Sequence, residues 1–257
     1  MKKQASIIRV ENLNIGYDGK TIMQNLSFDI PKGDIFIIMG GSGCGKSTLL
    51  RTLTGLIPAQ AGRIWIRDVD FINARPTEKL DIMKHSGILY QSGALFSSMT
   101  LAENVALPLQ QYTAYSPDKI NRIVAFKLAL VGLSGYEEYY PAEISGGMRK
   151  RAGLARALAL DPEIVYFDEP SAGLDPVSSK NLDDLILEIN KTLGTTIIVV
   201  THELSSIFAI GKNSIFLDKT IRTISAKGNP GELLKNPPNQ QVHEFLTRGE
   251  PHEKGTK

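Results

Sequence analysis

The chain has 257 residues, 42% hydrophobic and 22% charged, enough for one large core or one core with an inserted subdomain. Lysine and arginine total 29 against 27 acidic residues, a net charge of +2, which gives no argument for a nucleic-acid-coating surface. One cysteine excludes an internal disulfide framework, and with four scattered histidines it argues against a Cys/His zinc site.

Two lysines open the chain without a long apolar stretch behind them, so no signal peptide is expected. No run reaches the ~18 apolar residues of a membrane-spanning helix, so any membrane association is expected through a partner. Ile7–Val10 and Leu26–Ile30 read as strands, with a turn at Asp18-Gly19. Ile35–Met39 is apolar without alternation, as in a strand buried on both faces. A glycine-rich loop and a helix over Ser47–Leu56 follow. Gly87–Tyr90 is strand-like. Helices are expected at Ala102–Gln110, Pro117–Val131 and Gly146–Leu160, the first opened by a Thr100/Glu103 capping box. Glu163–Phe167 and Thr195–Val200 are buried-strand runs around a helix at Val177–Thr192. That alternation predicts an α/β nucleotide-binding core with a parallel sheet and a helical insertion. Trp65 is expected in the core, His243 and His252 at the surface, and Arg248–Lys257 as a frayed end.

Gly40-Gly41-Ser42-Gly43-Cys44-Gly45-Lys46-Ser47 fits the phosphate-loop pattern, between a predicted strand and a predicted helix. Glycines let backbone N–H groups close around the β-phosphate of ATP, and the helix dipole points at the same anion. Lys46 supplies a charge to the β- and γ-phosphates, and Ser47 a hydroxyl for Mg²⁺. Ile164–Phe167 leads into Asp168-Glu169. Adjacent carboxylates after an apolar strand are costly unless a cation uses them. Asp168 is read as a Mg²⁺ ligand, and Glu169 as the general base that polarises the attacking water. Cys44 beside Lys46 and a helix N-terminus is expected to be a reactive thiol; the alternative is a small buried hydrophobe.

From here the sequence resembles the ABC ATPase family over nearly its whole length. Ile144-Ser145-Gly146-Gly147-Met148 is similar to the family signature, with Met148 at the usual glutamine and Ser145 23 residues before Asp168. Gln91 resembles the Q-loop glutamine, a further Mg²⁺ ligand. Ala172-Gly173-Leu174-Asp175 resembles the D-loop, with Asp175 as its acidic residue. His202 resembles the switch histidine, a partner of the γ-phosphate. Tyr17 stands where the family stacks an aromatic ring on adenine, and Thr48 completes the nucleotide-binding run. The resemblance implies a P-loop NTPase (RecA-like) core with an N-terminal antiparallel β-subdomain, over 1–91 and 161–257, and a helical subdomain over 92–160.

Ser145-Gly146-Gly147 opens a helix and is a second anion site. It makes sense if it closes on a neighbour's γ-phosphate, which implies a homodimer with two ATPs at the seam. Arg149-Lys150-Arg151 on that helix is expected to be a solvated basic face rather than a nucleic-acid patch.

Gln91-Ser92-Gly93-Ala94-Leu95-Phe96, Met99-Thr100, Glu103-Asn104-Val105 and Met148 are similar to ATPases of Mla-type, MCE-associated lipid transporters. That resemblance implies a motor for phospholipid trafficking, peripheral on the cytoplasmic face of the inner membrane. Its implied partners are an integral-membrane permease, an MCE-domain lipid-binding protein and, in some members, a small regulatory subunit. Some members have glutamine where Leu174 stands, so the regulatory partner stays open. The permease is expected to dock at Ala94-Leu95-Phe96, unless Leu95 and Phe96 are core residues. Import of a polar solute, a soluble non-transport ABC ATPase and a nucleotide-gated scaffold are the alternatives.

Overall fold

The computed structural model describes residues 5–249, which form two compact units, 5–73 with 200–249 and 74–199. His252 and the rest of the tail beyond residue 249 lie outside the described residues.

The first unit opens with a long hairpin, β1 (Ser6–Tyr17) and β2 (Lys20–Pro31), in which Tyr17 pairs with Lys20. Asp18 and Gly19 both take positive φ, 47° and 76°, as a two-residue turn between twisted strands requires. After β3 (Ile35–Met39) and α1 (Lys46–Leu53) come β4 (Ala61–Ile66) and β5 (Val69–Asp70). The order β2-β1-β4-β5 makes an antiparallel sheet. Trp65 is half-buried rather than core: the Arg9 and Arg63 guanidiniums lie 4.9 and 5.6 Å from its ring centroid. Two cations on one indole face-on hold the ring at the sheet surface.

The second unit runs α2 (Pro76–Lys84), β6 (Ser86–Leu89), α3 (Leu101–Tyr112), α4 (Pro117–Leu130), α5 (Gly146–Ala157), β7 (Ile164–Asp168), α6 (Pro176–Leu193) and β8 (Thr196–Val200). β7 lies between β8 and β6 and is parallel to β6, with Leu89 opposite Phe167. All residues of β7 and β8 are buried, at about 1.5–3 kcal/mol of stabilisation for each large apolar side chain. The capping box at α3 forms as expected: the Thr100 hydroxyl accepts from the Glu103 N–H at 3.1 Å, and the Glu103 carboxylate from the Thr100 N–H at 2.7 Å. α3, α4 and α5 pack on one another.

The first unit resumes with α7 (Leu204–Ile210), β9 (Asn213–Asp218), β10 (Thr223–Gly228), α8 (Pro230–Lys235) and α9 (Gln240–Thr247). β9 lies between β10, antiparallel to it, and β3, parallel to it. No helix among the described residues is long and apolar enough to cross a membrane.

Candidate functional site

In the first unit, the buried strand β3 delivers the chain to Gly40, where φ is 149°. A Cβ there would lie 2.5 Å from the Leu217 carbonyl oxygen and 2.8 Å from Cys44 Sγ, so only glycine passes. Cβ atoms at Gly41 and Gly43 would meet nothing within 4 Å; open space beside the backbone is what a phosphate cradle needs. Gly45 caps α1 with φ of 97°, and the Lys46 ammonium donates to the carbonyl oxygens of Gly40 at 2.9 Å and Gly41 at 3.2 Å. The lysine therefore lies over its own loop. Ser42 is exposed, and Ser47 half-buried at the start of α1.

Tyr17, 39% exposed, sits beside the same helix: its hydroxyl oxygen accepts from the Thr48 hydroxyl at 3.1 Å. Thr201 N–H donates to the Ile38 carbonyl at 3.3 Å, so the exposed His202 follows directly alongside the end of β3, its Nε2 3.9 Å from a Glu203 carboxylate oxygen. Cys44 departs from the reactive-thiol expectation. It is 1% exposed, and burial pushes its thiol pKa up, outweighing the nearby Lys46 charge that pulls it down. The packing under Gly40 makes it the small buried hydrophobe.

In the second unit, the register of β6 with β7 brings Gln91 and the Asp168-Glu169 pair out of the same sheet edge, the carboxyl ends of two parallel strands, where ligand sites in α/β sheets lie. Gln91 is exposed in a turn closed by Gly93 N–H to the Tyr90 carbonyl at 2.8 Å. Asp168 is 8% exposed at the end of its apolar strand. A carboxylate and an amide oxygen at one sheet edge are hard oxygen donors of the kind Mg²⁺ takes.

Ser145 caps α5, its hydroxyl oxygen accepting from the Met148 N–H at 3.2 Å, and Ser145 and Gly146 are exposed. Gly147 faces Ser178 and Leu174, so the signature end of α5 adjoins the D-loop segment. Asp175 caps α6, accepting from the Val177 and Ser178 N–H groups at 3.0 Å each; the Ser178 contacts hold its carboxyl below the usual range. The basic run is not the solvated face expected of it: Lys150 is buried, Arg149 donates to the Ile144 carbonyl at 2.9 Å, and Arg151 to the Val131 carbonyl at 3.2 Å.

Ala94 and Phe96 line a cleft of about 580 Å³, with Leu80, Met83, Leu107 and Arg156 among its walls. Phe96 is 50% exposed and not core. The buried Asn104 side chain holds its backbone, accepting from the Phe96 N–H at 2.8 Å and donating to the Phe96 carbonyl at 3.1 Å. Arg156 and Asn104 shape this segment; sequence reasoning assigned no role to Arg156 and carried Asn104 only within the Glu103-Asn104-Val105 resemblance.

Comparison with known proteins agrees with this geometry. The family described as ABC transporter matches residues 23–172. The chain is 41% identical over 239 residues to the "Probable ribonucleotide transport ATP-binding protein mkl" of Mycobacterium leprae, covering 93% of this chain and 68% of that protein. It is 38% identical over 244 residues to the intermembrane phospholipid transport system ATP-binding protein MlaF of Escherichia coli K12, covering 94% of this chain and 89% of that protein. Among solved structures it matches cbiO1 of Clostridium perfringens, part of the ABC transporter complex cbiONQ, with a TM-score of 0.83, 28% identity, and 91% and 92% of the two chains covered. It also matches a dimeric ATP-binding cassette in a post-hydrolysis state bound to ADP and Pi, with a TM-score of 0.78, 26% identity, and 86% and 98% covered. A strand-to-helix phosphate loop, a carboxylate pair at a parallel sheet edge and these matches have one reading: the chain is a P-loop α/β ATPase that belongs to the ABC transporter family.

Proposed function

We propose that this chain is the ATP-hydrolysing motor of a transporter that moves phospholipid between membranes. The observation that carries the substrate class is the 38% identity to an intermembrane phospholipid transport ATPase across 94% of the chain. In this reading the loop from Gly40 to Thr48 holds the phosphates, with Lys46 leaving its own carbonyls for the β- and γ-oxygens, and Tyr17 stacks on adenine. Ser47, Gln91 and Asp168 would hold Mg²⁺, which would supply positive charge against the phosphates. Glu169 takes the proton of the attacking water, and His202 steadies the γ-phosphate. Ser145, Gly146, Gly147 and Met148, with Asp175 beside them, meet the nucleotide of a second copy. The helical segment 92–160 is then the moving part.

The permease docks in the cleft at Phe96. Apolar walls and a half-exposed aromatic suit an amphipathic helix of a membrane partner. An MCE-domain protein completes the assembly, in which this chain lies on the cytoplasmic face of the inner membrane; the departure at Leu174 leaves a small regulatory subunit open. The 41% identity to the mycobacterial protein supports a second reading, import of a polar solute such as a ribonucleotide. Affinity capture of the chain from its own membranes, followed by identification of bound proteins and lipids, separates the two. A permease with an MCE-domain protein and co-purifying phospholipid supports the first. A permease with a soluble solute-binding protein, and turnover stimulated by ribonucleotide but not by phospholipid, overturns it.

A further inference from the structure

Lys150 has no place in the mechanism above, and its surroundings are unusual. It is 6% exposed. Its ammonium donates to two backbone carbonyls, Pro170 at 2.6 Å and Ala172 at 2.5 Å. Both belong to the turn that follows Glu169. The helix that begins at the signature is thus pinned to the segment that carries the proposed base.

That turn is strained. Glu169 has φ of 49°, in the left-handed region that costs any residue with a Cβ. It also precedes Pro170, whose ring pushes the residue before it towards extended backbone. The turn closes with Ala172 N–H to the Glu169 carbonyl at 3.2 Å and Leu174 N–H to the Ser171 carbonyl at 3.1 Å. A sparsely populated backbone persists where its surroundings over-determine it, and such sites cluster where chemistry is done. The two bonds from Lys150 tie this turn down.

A lysine is a costly choice for that position. Burial pushes the Lys150 ammonium below the usual lysine range, and attraction to the Glu169 carboxylate works against the shift. Taking this donor away would leave both carbonyls without it and cost some stability, yet a buried cation is not what stability alone selects, since a whole buried ion pair can often be exchanged for apolar residues without loss. The two carbonyls that the cation holds follow directly on Glu169, so the bonds that steady the fold also bear on the aim of the proposed base.

We propose that Lys150 is a positioning residue for ATP hydrolysis. Its ammonium clamps the strained turn and fixes the direction of the Glu169 carboxylate relative to α5. The clamp also joins two tasks within one chain. Glu169 serves the chain's own nucleotide, and the Ser145 end of α5 serves the nucleotide of the second copy. The base is aimed when α5 is seated, so closure on one ATP prepares hydrolysis of the other. This rests on the reading of Glu169 as general base.

The test is steady-state Mg-ATP hydrolysis by the full chain carrying Lys150→Met, Lys150→Leu or Lys150→Gln, beside Glu169→Gln, with thermal denaturation of each. The two apolar variants fill the space without a donor, and whichever folds carries the test. The expected result is a kcat lowered about tenfold or more, a KM for ATP within about twofold of wild type, and a somewhat lowered Tm that stays well above the assay temperature; loss of kcat without loss of ATP binding marks an effect on the transition state. Lys150→Gln, which keeps a donor, retains more of the rate than the apolar variants. Wild-type kcat in a folded apolar variant overturns the clamp, as does a lowered Tm with kcat intact, the behaviour of a mere strut. Glu169→Gln inactive beside a fully active Lys150→Met overturns the clamp alone. Glu169→Gln hydrolysing at the wild-type rate overturns the reading of Glu169 and the clamp with it.

Discussion

The guanidinium of Arg156 donates to the carbonyl oxygen of Ala94 at 2.9 Å, and a second nitrogen donates to Gly93 at 3.2 Å. Ala94 and Gly93 both take positive φ, 49° and 79°, so the fork fastens an otherwise unfavourable piece of backbone. Burial pushes the Arg156 pKa down, yet an arginine keeps its charge. Arg156→Ala should destabilise the chain by about 2 kcal/mol, the scale of a hydrogen bond to a charged group, with ATP binding kept. Arg156→Lys should recover only part, since a point charge cannot replace a planar fork. Denaturant unfolding measures the first effect, and turnover stimulated by the captured permease should fall in both variants.

On the other side of the same contact, Gly153 is hemmed in. A Cβ there would lie 2.8 Å from the Gly93 carbonyl oxygen and 2.9 Å from a Leu89 methyl carbon. Gly153→Ala should shift the turn at Gln91. The expected outcome is a loss of 1–3 kcal/mol, about what overpacking of a tight contact costs, with a lower kcat. Unfolding midpoints and steady-state ATPase assays check both.

Glu169→Gln should leave nucleotide binding intact and lower kcat by about 10²-fold or more, because the amide keeps the shape but cannot take a proton. ATP-bound dimer should accumulate and be visible by size-exclusion chromatography. Turnover near wild type in the purified complex would remove Glu169 from its role.

The phosphate loop and the carboxylate pair were legible in the sequence because each needs a fixed local string: Gly40, which a Cβ would jam, Gly43 and Gly45 with positive φ, and charges abutting an apolar strand. Helices α3, α4 and α5 were legible for a similar reason, since their caps and periodicity are local. What escaped was set by tertiary packing. Lys150 in a run of three basic residues looks like solvated charge, and only the fold shows its ammonium inside the turn after Glu169. Trp65 looks like core until Arg9 and Arg63 are seen against its ring. Cys44 illustrates two opposing effects of one neighbourhood: charge and dipole were readable from the loop, but the burial that outweighs them comes from Gly40 packing over the sulfur. The strands and short helices after residue 210 carry no motif, so they went unread.

Cys44 should resist maleimide at neutral pH with or without Mg-ATP. Its thiol is buried and its pKa is raised, so both access and thiolate are scarce. Denaturation should expose it to stoichiometric labelling. Mass spectrometry under native and unfolding conditions checks this; rapid labelling of native apo protein would mean that the loop opens.

Asp175→Ala should lower Tm at neutral pH, because α6 loses its cap. The sign of the pH dependence follows from the lowered carboxyl pKa. The ionised group's contribution is complete above its unfolded value, and it is lost as pH falls through the lower folded value. The Tm gap between wild type and variant should therefore be widest above about pH 5 and close in acid below the ordinary aspartate pKa of ~3.9. Calorimetric scans at several pH values measure it.

The 12 residues of α5 make a rod of about 18 Å. Its Ser145 end is exposed, its middle is bolted to the turn after Glu169 by Lys150, and its far end is gripped by the backbone at Ala94 through Arg156. Such a rod cannot bend to accommodate a load at one end; it must translate or rotate whole. Pressure on the cleft at Phe96 would thus swing the Ser145 end the opposite way, which makes the helix a lever with its fulcrum at Lys150.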